Sequence, residues 1–94
     1  MWYVLVDGVR SGDGAGFMFP GRARGEVADA VERLYERKGV AWPLYADAVN
    51  RVRGVRLSAL DGFRVEFAGS VVEVTHRRNS DPGGYRVPGR GPGE

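Results

Sequence analysis

The stretch VRLSALDGFRVEFAGSVVEVTH, Val55–His76, decides the fold. Apolar residues recur at alternate positions in three runs, Val55–Ala59, Phe63–Ala68 and Val71–His76, separated by Gly-bearing turns. Alternation with period two marks strands with one buried face. Reading Leu60-Asp61-Gly62 as a three-residue loop puts Gly62 where positive φ is required. Val55 then faces Phe67, Leu57 faces Val65 and Ala59 faces Phe63. A two-residue Asp61-Gly62 turn would set Leu57 against Glu66 and mix the faces. A two-residue Gly69-Ser70 turn pairs Phe67 with Val72 and Val65 with Val74. The other face then carries the rows Arg56, Glu66, Glu73 and Ser58, Arg64, Thr75, where a favourable pair contributes roughly a few tenths of a kcal/mol.

The apolar face needs a cover, and the preceding residues supply it. In Glu26–Lys38, Val27, Ala30, Val31, Leu34 and Tyr35 form one stripe of a helix. Gly39-Val40 reads as a Schellman stop. A second helix starts at Trp42 with Pro43 at its first position, presents Tyr45, Ala48, Val49 and Val52, and ends at Gly54. Trp2–Val6, five apolar residues rich in β-formers, reads as a strand buried on both faces. Asp7-Gly8 signals a turn, Ser11–Gly16 a loop, and Phe17–Phe19 a second short strand stopped by Pro20-Gly21. The expected architecture is α+β. It is a two-layer sandwich with a mostly antiparallel sheet of about five strands and two helices on one face, in the order β-β-α-α-β-β-β.

Residues 1–78 make one domain, and 79–94 read as a flexible tail. Half of Asn79–Glu94 is Gly or Pro, with little apolar material to bury. Residues 1–75 hold ten basic and ten acidic side chains, so the net charge of +2 lies wholly after them. There are 13 Arg, one Lys, no Ile and no Gln, a bias that GC-rich codons explain in part. The chain has no Cys, hence no disulfide frame and no thiolate metal site. No apolar run approaches the ~20 residues that span a bilayer, and Trp2–Val6 is too short for a secretory signal, so the expected setting is cytoplasmic, without membrane contact.

Catalytic and metal chemistry find little support. Gly12-Asp13-Gly14-Ala15-Gly16 resembles a phosphate loop only in its glycines. A β-like run follows it rather than a helix, and Lys and Ser/Thr are missing from its end. Asp7 and Asp13 lack the further carboxylates of a calcium loop. His76 is the single histidine and, at a strand end with core-face parity, reads as packing near Phe63. The expectation is a non-enzyme with no cofactor and no metal.

Two binding patterns remain. Arg22 and Arg24 precede the first helix, where two cations oppose its dipole. With Arg77, Arg78, Arg86 and Arg90, and with Tyr85 to stack on a base, they form the basic set expected of a nucleic-acid-binding or regulatory protein for DNA or RNA. Arg56 and Arg64 are lesser candidates. The alternative is a protein-interaction module, a homodimer, adaptor, inhibitor or assembly subunit. It would bind through an apolar patch of Tyr3, Leu5, Met18 and Val71 or through an open strand edge. Truncation after Arg78 discriminates: the thermal midpoint should stay within about 2 °C of the full chain. On the nucleic-acid reading, the full chain binds in a low-salt gel shift and the truncation binds more weakly. Absence of any shift with single strands or duplexes contradicts that reading.

Overall fold

The computed structural model describes residues 1–12 and 14–77; Asp13, Arg78, Tyr85, Arg86 and Arg90 lie outside them, as does the 79–94 segment. The architecture is α+β: the described residues form four antiparallel strands in one sheet and two helices. Strand β1 (Trp2–Val6) turns through Asp7 and Gly8 into β2 (Val9–Arg10). Both turn residues have positive φ, 52° and 82°, the two-residue geometry that follows strand twist. The expected partner strand Phe17–Phe19 is therefore displaced by a closer one. A hairpin that closes within two residues costs less loop entropy than one spanning the glycine loop. Phe17 still returns to β1, where its N–H and C=O pair with Trp2.

Helix α1 runs Pro20–Arg37, six residues ahead of the expected start at Glu26. Pro20 opens it at no hydrogen-bond cost, because the first N–H groups of a helix lack intrahelical partners. Gly21 and Gly25 each disfavour helix by about 1 kcal/mol relative to Ala. Ala23, 0 % exposed, extends the buried stripe of Val27 and Val31, and that burial offsets part of the cost. The helix ends as expected. Gly39 (φ 74°) donates to the Glu36 carbonyl and Val40 to that of Tyr35. Helix α2 runs Trp42–Arg53, with Pro43 in its first turn and Gly54 as its cap.

The expected strand Val55–Ala59 does not form; Leu57–Ala59 makes a single 3-10 turn instead. Leu60, read from sequence as a loop residue, is 1 % exposed, while Leu57 remains 41 % exposed. Bending the segment buries the Leu60 side chain against the core and gives up the pairing with β3 that the alternating pattern offered. Arg24 ties the bend down by donating to the Val55 carbonyl at 2.8 Å.

Strands β3 (Arg64–Phe67) and β4 (Ser70–His76) complete the sheet in the order β2-β1-β4-β3. Among the described residues the sheet thus has four strands rather than about five. Their turn is Ala68-Gly69, so Phe67 pairs with Ser70 and Val65 with Val72, two residues from the expected register. A shift of two keeps every side chain on its face. The polar rows change accordingly: Arg10, Leu5, Glu73 and Arg64 lie across one line, and Val71 and Glu66 across the next. Gly62 has the expected positive φ of 85°, but inside a bulge, where it donates to Val74 while Val74 donates to Phe63.

Helix α1 lies over β1 and β4, and α2 packs against α1. Because the helices cover a single face of the sheet, β1 is not buried on both faces as expected: Val4 is buried and its other residues are half-buried. Val4, Val72 and Val74 of the sheet meet Val27, Val31, Val49 and Val52 of the helices in one core, each of them at most 2 % exposed. His76 stacks on Trp2, with centroids 4.3 Å apart, rather than on the expected Phe63. Ala68 has φ 51°, a left-handed conformation that costs a residue with a Cβ roughly 1 kcal/mol. Ala68→Asn creates the favoured Asn-Gly turn and should raise stability by about 0.5–1 kcal/mol in urea unfolding. A lower midpoint would contradict the Ala68-Gly69 register.

Candidate functional site

The β3 edge is the feature that the fold leaves unfinished. In a two-residue hairpin the pair flanking the turn exchanges both hydrogen bonds, and bonded pairs then recur at every second position. Phe67 and Val65 therefore bond to β4, and the N–H and C=O groups of Arg64 and Glu66 point outward. No described strand lies beyond β3. The 3-10 turn that replaces the expected neighbouring strand rests against α1 instead.

The side chains beside this edge are apolar. Phe63, Val65 and Phe67 face the helix layer, but α1 covers β1 and β4 and α2 covers α1. A cleft of about 360 Å³ remains between α2 and β3, walled by Ala48, Val52 and Val55 on one side and by Phe63, Val65 and Phe67 on the other. Val65 is 41 % exposed there. Arg51 and Glu66 stand at the rim. The opposite edge differs: β2 has only two residues, and the chain leaves it for the glycine loop.

The expected interface residues separate. Tyr3 and Leu5 line a shallow cleft on the uncovered sheet face with Arg10, Glu73, Thr75 and Arg77. The Arg10 guanidinium sits 4.2 Å above the Tyr3 ring and donates to the Gly14 carbonyl. Gly16 comes so close that an added Cβ would lie 2.7 Å from the same ring. The glycine loop and Arg10 thus cover Tyr3. Val71 sits opposite Glu66. Met18, 71 % exposed, lines a separate cleft with Met1, Phe17, Phe19 and Arg22.

The arginines also divide. Arg22 and Arg24 lie in the first turns of α1, not in a loop before it. Arg24 bonds to Val55, whereas Arg22 lines one cleft with Met1, and the Met1 backbone pairs with that of Arg77. Beneath the glycine loop, Ser11 donates to Glu26, and Arg33 bridges both. Sequence reading missed this network because its members sit 7 to 22 residues apart on elements whose boundaries moved. No group of three or more His, Cys, Asp or Glu side chains gathers among the described residues, and no described helix is long and apolar enough to cross a membrane.

Compared with models of protein families, with curated proteins and with solved structures, the chain matches none.

Asp7 links the first hairpin to β4. Its backbone N–H donates to the Val71 carbonyl, and its carboxylate accepts the Val71 N–H at 2.8 Å. That backbone bond, and then the Ser70 hydroxyl, hold the carboxyl below its ordinary value of 3.8. A lowered folded value means the contribution is complete at neutral pH and is lost as pH falls through that value. Asp7→Asn should therefore lose less stability on acidification than the wild type. An identical acid limb in both proteins contradicts this role.

Proposed function

We propose that this chain is a non-enzymatic protein-interaction module that takes a partner's extended strand along the outer edge of β3. The observation that carries the reading is the coincidence of two unmet requirements at one place. Among the described residues no strand pairs with the outward backbone groups of Arg64 and Glu66, and the cleft beside them leaves Val65 41 % exposed. An added strand would satisfy the first and cover the second. Main-chain bonds would supply much of the affinity, and side chains entering the cleft the selectivity. Adaptor and assembly-subunit roles both fit such a surface.

Contact with nucleic-acid phosphates is a second reading, supported by a cleft that both Arg22 and Met1 line and by the backbone pairing of Met1 with Arg77. The bond from Arg24 to the Val55 carbonyl holds that guanidinium against the bend and limits its reach to a phosphate. The protein-interaction reading therefore rests on more of the described structure.

A photo-cross-linking residue at Val65 of the full chain, expressed in cells, should give adducts of defined mass. The same residue at Val9, 69 % exposed on the opposite edge, should not. Glu66→Pro removes an outward N–H and no sheet bond, so it should preserve the fold and abolish the Val65 adducts. Equal adduct yields from Val65 and Val9, or none from either, contradict the proposal.

A further inference from the structure

The segment Phe63-Arg64-Val65-Glu66-Phe67 reads alike from both ends once charge is inverted. Resting on the strand-addition reading, we infer that the partner is a second copy of this chain, with its β3 paired antiparallel to β3 about a two-fold axis at Val65. That register sets Phe63 opposite Phe67, Arg64 opposite Glu66 and Val65 opposite Val65. Each relation occurs in both directions, as a two-fold interface requires.

Three independent features agree on this register. The outward backbone groups belong to Arg64 and Glu66. Pairing Arg64 with Glu66 of the second copy makes those two positions the hydrogen-bonded pairs, so every outward N–H and C=O finds a partner. The side chains of the same residues lie together on the uncovered face, where opposite charges across the new strand pair attract. On the helix side, Phe63, Val65 and Phe67 of each copy meet their counterparts at the mouth of the cleft and cover Val65. A shift of two residues either way would keep the faces, but it would break the Arg–Glu matching. A shift of one would set Arg64 or Glu66 opposite Val65, whose N–H and C=O point to β4, and would leave outward groups unpaired.

The test uses the purified full chain in sedimentation equilibrium. E66R sets a guanidinium against Arg64 of the second copy, twice per dimer, and should weaken association about tenfold. R64E should do the same with acidic pairs. Because Arg64 also faces Glu73 within its own sheet, folding of R64E is checked by circular dichroism. An equimolar mixture of E66R and R64E should restore wild-type affinity as a heterodimer, an effect that loss of folding cannot produce. In addition, V65C should oxidise to a linked dimer, since the two Val65 Cα atoms would lie about 4.5 Å apart in a non-hydrogen-bonded pair. The chain has no other cysteine to compete.

A wild-type chain that stays monomeric at high concentration overturns the inference, as does a mixture no tighter than either single variant. If the chain is monomeric while Val65 photo-adducts carry another protein's mass, self-pairing falls and the edge reading stands. If Val65 gives no adducts and the chain is monomeric, both fall.

Discussion

The antiparallel pairing of β1 with β4 joins opposite ends of the described chain, and the place of every other element follows from it. Val4 pairs with Val74 and Val6 with Val72, which sets Val4, Val72 and Val74 side by side on one face. All three are at most 1 % exposed because α1 lies directly over them with Ala23, Val27 and Val31. Small and β-branched side chains on both surfaces let helix and sheet approach closely. The burial gained must offset the entropy of closing a loop that contains both helices.

Centring the core on β1 and β4 makes the layers unequal. Helix α2 finds its apolar partner in α1 rather than in the sheet, through Val49, Val52 and Tyr45, whose ring stacks on Tyr35 at 5.1 Å. Strand β3 extends past the cover that α1 provides. The segment that could have protected its edge bends away instead, pinned by buried Leu60 and by the bond from Arg24 to Val55. The cleft and the open edge are thus consequences of where the core sits. The opposite edge is short, and the glycine loop folds back over Tyr3 beside it.

Much of this frame is legible in the residues. Trp2–Val6, the second helix with Pro43 and Gly54, the Schellman stop at Gly39 and the positive φ of Gly62 all follow from local chemistry that tertiary contacts do not override. The misreadings have a common cause. Pro20-Gly21 serves equally as a strand stop and a helix start, and only the burial of Ala23 decides for the helix. Val55, Leu57 and Ala59 alternate like a strand, yet Leu60 is the side chain that the core takes. The turn at Ala68-Gly69 places a residue with a Cβ at positive φ, which propensity alone disfavours. The open edge was legible only as a general alternative. Its location depended on the loss of the Val55–Ala59 strand, which would have covered it.

Amide hydrogen exchange along Phe63–Phe67, followed by NMR from dilute to concentrated protein, tests the account most directly. In dilute solution Val65 and Phe67 should be protected by β4, while Arg64 and Glu66 exchange rapidly. Protection should spread to Arg64 and Glu66 as concentration rises. Uniform protection of all these amides in dilute protein would show that the edge is already covered. Rapid exchange of Arg64 and Glu66 at every concentration would show that no second copy covers it.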